Sequence, residues 1–140
     1  MQLKNQRSPV PVKYRQLILR SEKARELAYA PYSKFAVGAA LLTSGGNIYE
    51  GANIENASYS LTICAERSAV VKAALNGERK FAAIAVIGPV NKQGIYPCGA
   101  CLQVLAEFSP EMKIVLKIKG KWQVRKLKQL LPGIFQKDKL

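Results

Sequence analysis

Histidine is absent from this 140-residue chain, and cysteine occurs only three times. Without histidine the chain cannot form the Ser-His or Cys-His pairs of nucleophilic hydrolases. Acidic residues are also few, since nine Asp and Glu stand against 22 Lys and Arg and leave a formal net charge of +13. A metal site or a proton-transfer group must therefore come from the three thiols and a small set of carboxylates.

A long uninterrupted apolar run is missing as well. No segment approaches the roughly 20 apolar residues of a membrane-spanning helix, and the polar start of the chain lacks the apolar core of a signal peptide. We therefore expect no membrane partner and a cytoplasmic location, where thiols stay reduced and available to a metal. With 49% hydrophobic and 22% charged residues, residues 1–140 are expected to form one globular domain, with 1–12 as a mobile basic tail.

The excess positive charge lies at the two ends of the chain. Residues 1–25 carry seven Lys and Arg and one Glu, residues 113–140 carry nine and one Asp, and the segment between them is nearly neutral. Such ends either form a solvated surface or attract polyanions weakly. Because neither end interleaves its charges with aromatic residues that stack on bases, we favour the solvated surface and do not expect nucleic acid as a partner.

The spacing of apolar residues predicts strands that alternate with helices. Helical spacing covers four segments: 14–28, 64–75, 98–108 and a last turn at 126–131. Apolar runs predict five strands, namely a hairpin at 35–43 and 48–53, a central strand at 82–87, one near a solvated edge at 113–119, and a fifth at 122–125. This order indicates an α/β layered domain.

The three cysteines fall into one pattern, CAE at residues 64–66 followed by PCGAC at residues 97–101. Three thiolates can hold one zinc ion and leave the fourth tetrahedral position for water, and a glutamate two residues from one ligand can move protons. A structural zinc site would need a fourth protein ligand, which this chain does not supply. Buried free thiols are the alternative. The spacing favours a catalytic zinc site with Cys64, Cys98 and Cys101 as ligands and Glu66 as proton carrier.

The C-x-E and P-C-x-x-C arrangement resembles the signature of zinc-dependent deaminases. Five motifs make the chain similar to the small homotetrameric cytidine deaminases: APYSKF at 30–35, NIENASY at 53–59, CAER at 64–67, PCGACLQ at 97–103 and LLPG at 130–133. The resemblance implies a three-layer α/β/α fold around a five-stranded mixed sheet and one zinc ion per chain. It also implies a homotetramer with shared active sites that hydrolyses cytidine and 2′-deoxycytidine in pyrimidine salvage.

The resemblance gives roles to three polar residues around the metal and the sugar. Arg67 would neutralise the excess negative charge of three thiolates, where an arginine on a solvated helix face is the alternative. Asn53 and Glu55 lie two positions apart near a strand end, and so on one face. They would hold the ribose hydroxyls, with Glu55 on the 3′-OH. Ordinary loop capping is the other interpretation of this pair.

Three aromatic residues and one backbone amide complete the implied substrate pocket. Phe35 would line the base or the sugar, Tyr59 would reach the ligand, and the Ala65 N–H would contact the pyrimidine edge. Phe135 would enter the active site of a neighbouring subunit and lie against the base, unless it packs on its own domain. Phe35 or Tyr59 taken alone would more often be a core residue, so the inference depends on the whole set.

Two other functions stay open at the level of the sequence. One is a deaminase with the same zinc core and another substrate, such as a polynucleotide base or a cytosine-containing antibiotic, which the basic ends motivate. The other is a non-enzymatic, zinc-stabilised module that binds nucleic acid. A metal position left open beside Glu66 argues against the second, and the motifs together favour an enzyme that acts on a free nucleoside.

Overall fold

The computed structural model describes residues 10–89 and 94–139. Within these residues, four α-helices, numbered α1 to α4, span Arg15–Arg25, Ala65–Leu75, Gly99–Phe108 and Leu127–Leu130. Five strands, numbered β1 to β5, span Gly38–Thr43, Ile48–Ala52, Phe81–Ile87, Lys113–Ile118 and Lys121–Lys126. Short 3₁₀ helices cover Val12–Tyr14, Tyr59–Leu61 and Lys137–Lys139. Each predicted helix and strand is present, with ends displaced by a few residues.

The five strands form one mixed sheet in the order β2-β1-β3-β4-β5. Strand β1 pairs antiparallel with β2 and β3, β3 pairs parallel with β4, and β4 pairs antiparallel with β5. The parallel pair needs a crossover, which α3 provides. The prediction of a strand near a solvated edge at 113–119 is confirmed, since β4 lies next to β5, which forms the edge of the sheet. The alternating Lys113 and Lys117 belong to one partly solvated face of an internal strand.

Helices cover the sheet on both faces. On one face, Leu41, Ile84 and Leu116 pack against the apolar sides of α2 and α3. On the other face, Ala40 and Ala85 belong to a second apolar cluster with residues of α1 and of the turn before it. This arrangement confirms the predicted three-layer α/β/α fold with a five-stranded mixed sheet.

The segment before α1 departs from the predicted mobile tail. Val10 is buried in the same cluster as Tyr14 and Val115, and a 3₁₀ turn begins at Val12. Residues 10–12 therefore belong to the fold, since an apolar side chain at position 10 reaches the open part of the sheet face. The rest of the predicted tail, 1–9, lies outside the described residues. Among the helices described, none is long and apolar enough to cross a membrane.

Helix α2 lies close to strand β2 because Gly51 has no side chain. A Cβ atom at this position would lie 2.4 Å from the Ala65 carbonyl oxygen and 2.5 Å from the Ala69 nitrogen. The Ser68 hydroxyl accepts a hydrogen bond from the Ala52 N–H at 3.0 Å, which ties the helix to the strand end. The first turn of α2, and the residue that caps it, are thus fixed against the end of β2.

Candidate active site

The three cysteines meet at the starts of two helices. Cys64 caps α2, Cys98 caps α3, and Cys101 lies in the first turn of α3. Their sulfur atoms all lie within 4.8 Å of one another, and the Sγ atoms of Cys98 and Cys101 are 3.4 Å apart. Zinc–sulfur bonds of about 2.3 Å in a tetrahedron place sulfurs about 3.8 Å apart. The three thiolates therefore fit one zinc ion, as the sequence predicts.

The surroundings of Cys64 favour its thiolate form. A hydrogen bond with Cys101 lowers the pKa of Cys64 to about 5, and the guanidinium of Arg67 acts in the same direction. The same hydrogen bond and burial raise the pKa of Cys101. A metal ion binds cysteines as thiolates, so metal binding by all three is coupled to the release of their protons.

Arg67 faces the sulfur atoms. Its Nη2 donates to the Cys64 Sγ at 3.5 Å, and its Nε is buried with no hydrogen-bond partner among the described residues. An arginine on a solvated helix face would have neither property. Three thiolates leave one negative charge in excess over Zn²⁺, and a guanidinium beside them offsets this excess. The charge of the site therefore also fits a bound zinc ion.

Glu66 is a buried carboxylate beside the cysteines. It lies in the first turn of α2 with 4% of its surface exposed. Burial raises its pKa, although a hydrogen bond with the Cys101 thiol opposes the shift. A carboxyl group that is shielded from bulk water and adjacent to a metal site can take up and release a proton during a reaction.

A cavity of about 530 Å³ opens above Glu66 and the cysteines. Its volume lies within the range of about 300 to 1,000 Å³ that small-molecule sites occupy. The predicted site residues that line it are Phe35, Asn53, Glu55, Tyr59, Cys64, Ala65, Glu66 and Cys98. The further lining residues are Ser33, Val37, Thr62, Ile95 and Tyr96. The fold therefore gathers nearly all predicted substrate residues around one space.

Asn53 and Glu55 reach the cavity from a short extended segment after β2. The Ile54 N–H donates to the Ile63 carbonyl at 2.9 Å, and the Glu55 N–H donates to the Tyr29 carbonyl at 2.8 Å. These bonds keep the segment extended, so its side chains alternate. Asn53 and Glu55 are buried, whereas the side chain between them is 44% exposed. The expectation that they share a face is confirmed.

The Glu55 carboxylate already accepts three hydrogen bonds. One oxygen accepts from the Tyr32 N–H at 3.0 Å and from the Ser33 N–H at 3.1 Å, and the other accepts from the Ser33 hydroxyl. The hydroxyl contact is the main reason why the pKa of Glu55 is lowered. A carboxylate offers about four acceptor positions, so about one remains for a ligand hydroxyl.

Asn53 fixes the backbone on both sides of Ala36. Its Oδ1 accepts from the Val37 N–H at 2.8 Å, and its Nδ2 donates to the Phe35 carbonyl at 2.8 Å. Asn53 thus caps a loop, which is one of the two roles that the sequence allows, the other being sugar binding. One amide hydrogen of Asn53 remains for a ligand. The loop includes Lys34 in a left-handed conformation with φ of 60°, which non-glycine residues adopt at a cost.

Residues 95 and 96 form part of the cavity wall that sequence reasoning did not identify. Tyr96 directly precedes the PCGAC motif and is half-exposed, and Ile95 lies beside it. They fall between the predicted strand at 82–87 and the predicted helix at 98–108, so the sequence assigns them no role. Their position next to Pro97 is the one signal that would have marked them.

Phe135 is the one predicted substrate residue that does not line this cavity. Its side chain is 57% exposed, whereas that of Ile134 before it is 6% exposed. Its backbone is held by the side chain of Gln103: the Phe135 N–H donates to Oε1 at 3.1 Å, and Nε2 donates to the Phe135 carbonyl at 2.8 Å. Gln103 stands in one of the recognised motifs, but the sequence assigns it no role.

Known proteins resemble this chain over most of its length. Residues 12–117 match the family model described as the cytidine and deoxycytidylate deaminase zinc-binding region. A cytidine deaminase from Sporosarcina psychrophila is 52% identical over 130 residues, which are 89% of this chain and 92% of that protein. One from Halalkalibacterium halodurans is 51% identical over 121 residues, 85% of this chain and 91% of that protein.

Solved structures share the fold. The crystal structure of cytidine deaminase from Burkholderia pseudomallei matches with a TM-score of 0.81 and 48% identity, over 86% of this chain and 97% of that one. The structure of cytidine deaminase from Mycobacterium tuberculosis matches with a TM-score of 0.77 and 37% identity, over 90% and 99% of the two chains. The five-stranded mixed sheet and its flanking helices are therefore common to these proteins and this chain.

Proposed function

This chain belongs to the cytidine deaminase family, and from that premise we propose that it hydrolyses free cytidine and 2′-deoxycytidine to the corresponding uridines and ammonia. One observation carries the proposal. Cys64, Cys98, the buried Glu66 and the partly filled carboxylate of Glu55 all line one cavity of about 530 Å³, and the buried Cys101 sulfur lies within 4.8 Å of the other two sulfurs. This arrangement supports a site in which metal ligands, a proton carrier and an acceptor for a sugar hydroxyl surround one nucleoside-sized space.

The reaction needs a water molecule made nucleophilic and a group that moves two protons. Cys64, Cys98 and Cys101 would hold a zinc ion, whose chemistry would be to activate a water molecule for attack on C4 of the cytosine ring. Glu66 takes one proton from this water and delivers it to ring N3. The same carboxyl group then carries the second proton of that water from the C4 hydroxyl to the 4-amino group, which leaves as ammonia when its bond to C4 breaks. Burial of Glu66 keeps bulk water from exchanging with the proton it carries.

The cavity walls orient the nucleoside. The open acceptor position of Glu55 receives the 3′-OH, and the remaining amide hydrogen of Asn53 binds the sugar beside it. Phe35 and Tyr59 flank the ligand, and the Ala65 N–H at the start of α2 contacts the pyrimidine edge. These placements are supported by the cavity lining and by the family motifs. A free nucleoside substrate belongs to pyrimidine salvage, and three free cysteines suit the reducing cytoplasm.

The substrate assignment is tested by comparing cytidine, deoxycytidine, 3′-CMP and a single-stranded oligonucleotide through the loss of ultraviolet absorbance. We expect both nucleosides to be converted and 3′-CMP to have a kcat/KM at least ~10² lower. A 3′-phosphate has no donor for Glu55 and brings negative charge against a carboxylate that is already buried. Conversion of the oligonucleotide at a rate comparable with cytidine would instead show a polynucleotide deaminase.

Replacing Glu55 with glutamine tests the same contact from the protein side. We expect the KM for cytidine to rise about tenfold, because a charge-assisted hydrogen bond is lost, and the discrimination against 3′-CMP to weaken. Glu107, an exposed residue of α3, provides the matched control, and Glu107→Gln should keep both values. An unchanged KM and unchanged discrimination in Glu55→Gln would remove Glu55 from the sugar site.

We further propose that four copies of the chain assemble into a homotetramer with shared active sites, each completed by Phe135 of a neighbouring subunit. The family motifs support this, and so does the exposure of Phe135 outside the cavity of its own chain. Sedimentation should give about four times the 15.4 kDa chain mass. A fully active monomer would refute the shared site.

A further inference from the structure

A side chain of helix α3 holds the segment that contains Phe135. Gln103 lies two positions after Cys101 and 32 positions before Phe135. Its amide donates to the Phe135 carbonyl and accepts from the Phe135 N–H, at 2.8 and 3.1 Å. A primary amide that donates to and accepts from one backbone residue satisfies both of its polar groups. The backbone of Phe135 is therefore fixed relative to the helix that bears two cysteines of the metal-ligand group.

At position 135 the backbone is held in place, whereas the side chain is exposed. The neighbouring Ile134 is buried and anchors the segment, but the Phe135 ring is 57% exposed. An aromatic ring stabilises its own domain mainly by being buried. The Phe135 ring is mostly exposed, so it contributes little of this stabilisation. The exposed N–H and carbonyl could bond to water equally well, so the two bonds add little to stability. What they supply is a fixed backbone position from which the ring projects.

We propose that Gln103 is the positioning residue for Phe135, and that it holds the ring in the orientation from which it enters a neighbouring subunit's active site. This inference rests on the proposed shared site. Gln103 does not line the described cavity, so it acts on the substrate only through Phe135. Holding the ring in place before the nucleoside binds removes the cost of ordering it at that moment. The effect falls on KM, because the proton transfers of Glu66 are untouched.

The test is a double-mutant cycle on Gln103 and Phe135, read as kcat and KM for cytidine. Stacking of an aromatic side chain on a base corresponds to a rise in KM of roughly 10- to 100-fold for Phe135→Ala. Gln103→Ala should raise KM by about two- to tenfold with kcat nearly unchanged. The double variant should match Phe135→Ala alone, because no ring is left to position. Gln16→Ala, which makes the same change at an exposed position of α1, is the control and should leave KM unchanged.

A second variant separates hydrogen bonding from packing. Gln103→Met keeps the length of the side chain without either bond, and it should raise KM as much as Gln103→Ala; a normal KM in this variant overturns the proposal. Sedimentation and zinc content confirm that each variant assembles.

Three kinetic outcomes each have a definite meaning. If Phe135→Ala raises KM and neither Gln103 variant does, the positioning role fails and the shared site stands. If the effects of Gln103→Ala and Phe135→Ala multiply in the double variant, Gln103 acts by another route. If Phe135→Ala leaves KM unchanged, the shared site fails, and the role of Gln103 fails with it.

Discussion

Replacing Glu66 with glutamine is expected to lower kcat for cytidine by roughly 10²- to 10⁴-fold, the range for a positioned general acid–base group. The amide has nearly the shape of the carboxylate, so the cavity keeps its form, but it cannot take a proton from water or return one to the ring. The metal would be held by the three cysteines and not by Glu66, so the zinc content of the variant should stay at the wild-type level. Steady-state kinetics and elemental analysis of the same preparation measure both quantities.

Glu107→Gln is the control for this substitution, because it makes the same chemical change at an exposed site on α3. Its kcat should equal that of the wild type. A zinc-replete Glu66→Gln variant with near-normal turnover would mean that another group carries the proton. Loss of zinc from this variant would instead mean that Glu66 supports the metal site.

Replacing Cys98 with alanine is expected to remove the zinc ion, abolish measurable turnover and destabilise the fold. Cys98 caps α3 and Cys64 caps α2, so a metal held by both ties the two helices together. A ligand present at about 1,000 times its Kd stabilises the folded state by about 4 kcal/mol. The free energy of unfolding should fall by about that amount when zinc cannot bind.

Elemental analysis and thermal unfolding check this expectation together. The wild type should contain one zinc ion per chain, and Cys98→Ala well under one. A chelator should lower the Tm of the wild type towards that of Cys98→Ala and leave the Tm of the variant unchanged. A fully active wild-type preparation with far less than one metal ion per chain would contradict the zinc assignment.

The metal-ligand group was predictable because its geometry is local. Cys98 and Cys101 stand one helical turn apart, and Glu66 follows Cys64 in the first turn of α2. Helix starts are visible in the sequence, and each start fixes its own pair of side chains. Only the approach of the two helix N-termini to each other depends on the tertiary fold. A zinc site built from three thiols, in a chain without histidine, already requires that approach.

The remainder of the site depends on contacts between segments far apart in the chain. Ser33 reaches Glu55 across 22 positions and Gln103 reaches Phe135 across 32, and no periodic pattern records such pairs. Tyr96 lines the cavity through the path of a loop, which apolar spacing does not describe. The same limit explains the error at residues 10–12, where the burial of Val10 depends on the sheet face it meets.

The left-handed turn at Lys34 has a consequence for how the cavity responds to change. A non-glycine residue in this conformation is disfavoured by about 1–2 kcal/mol, and the bonds of Glu55 and Asn53 to the surrounding backbone keep it there. Weakening those bonds allows the turn to relax, and Phe35 moves with it. The positions of the Glu55 carboxylate and of the Phe35 ring are thus coupled through this turn. The effects of substitutions at Glu55 and Phe35 on KM will therefore not be additive.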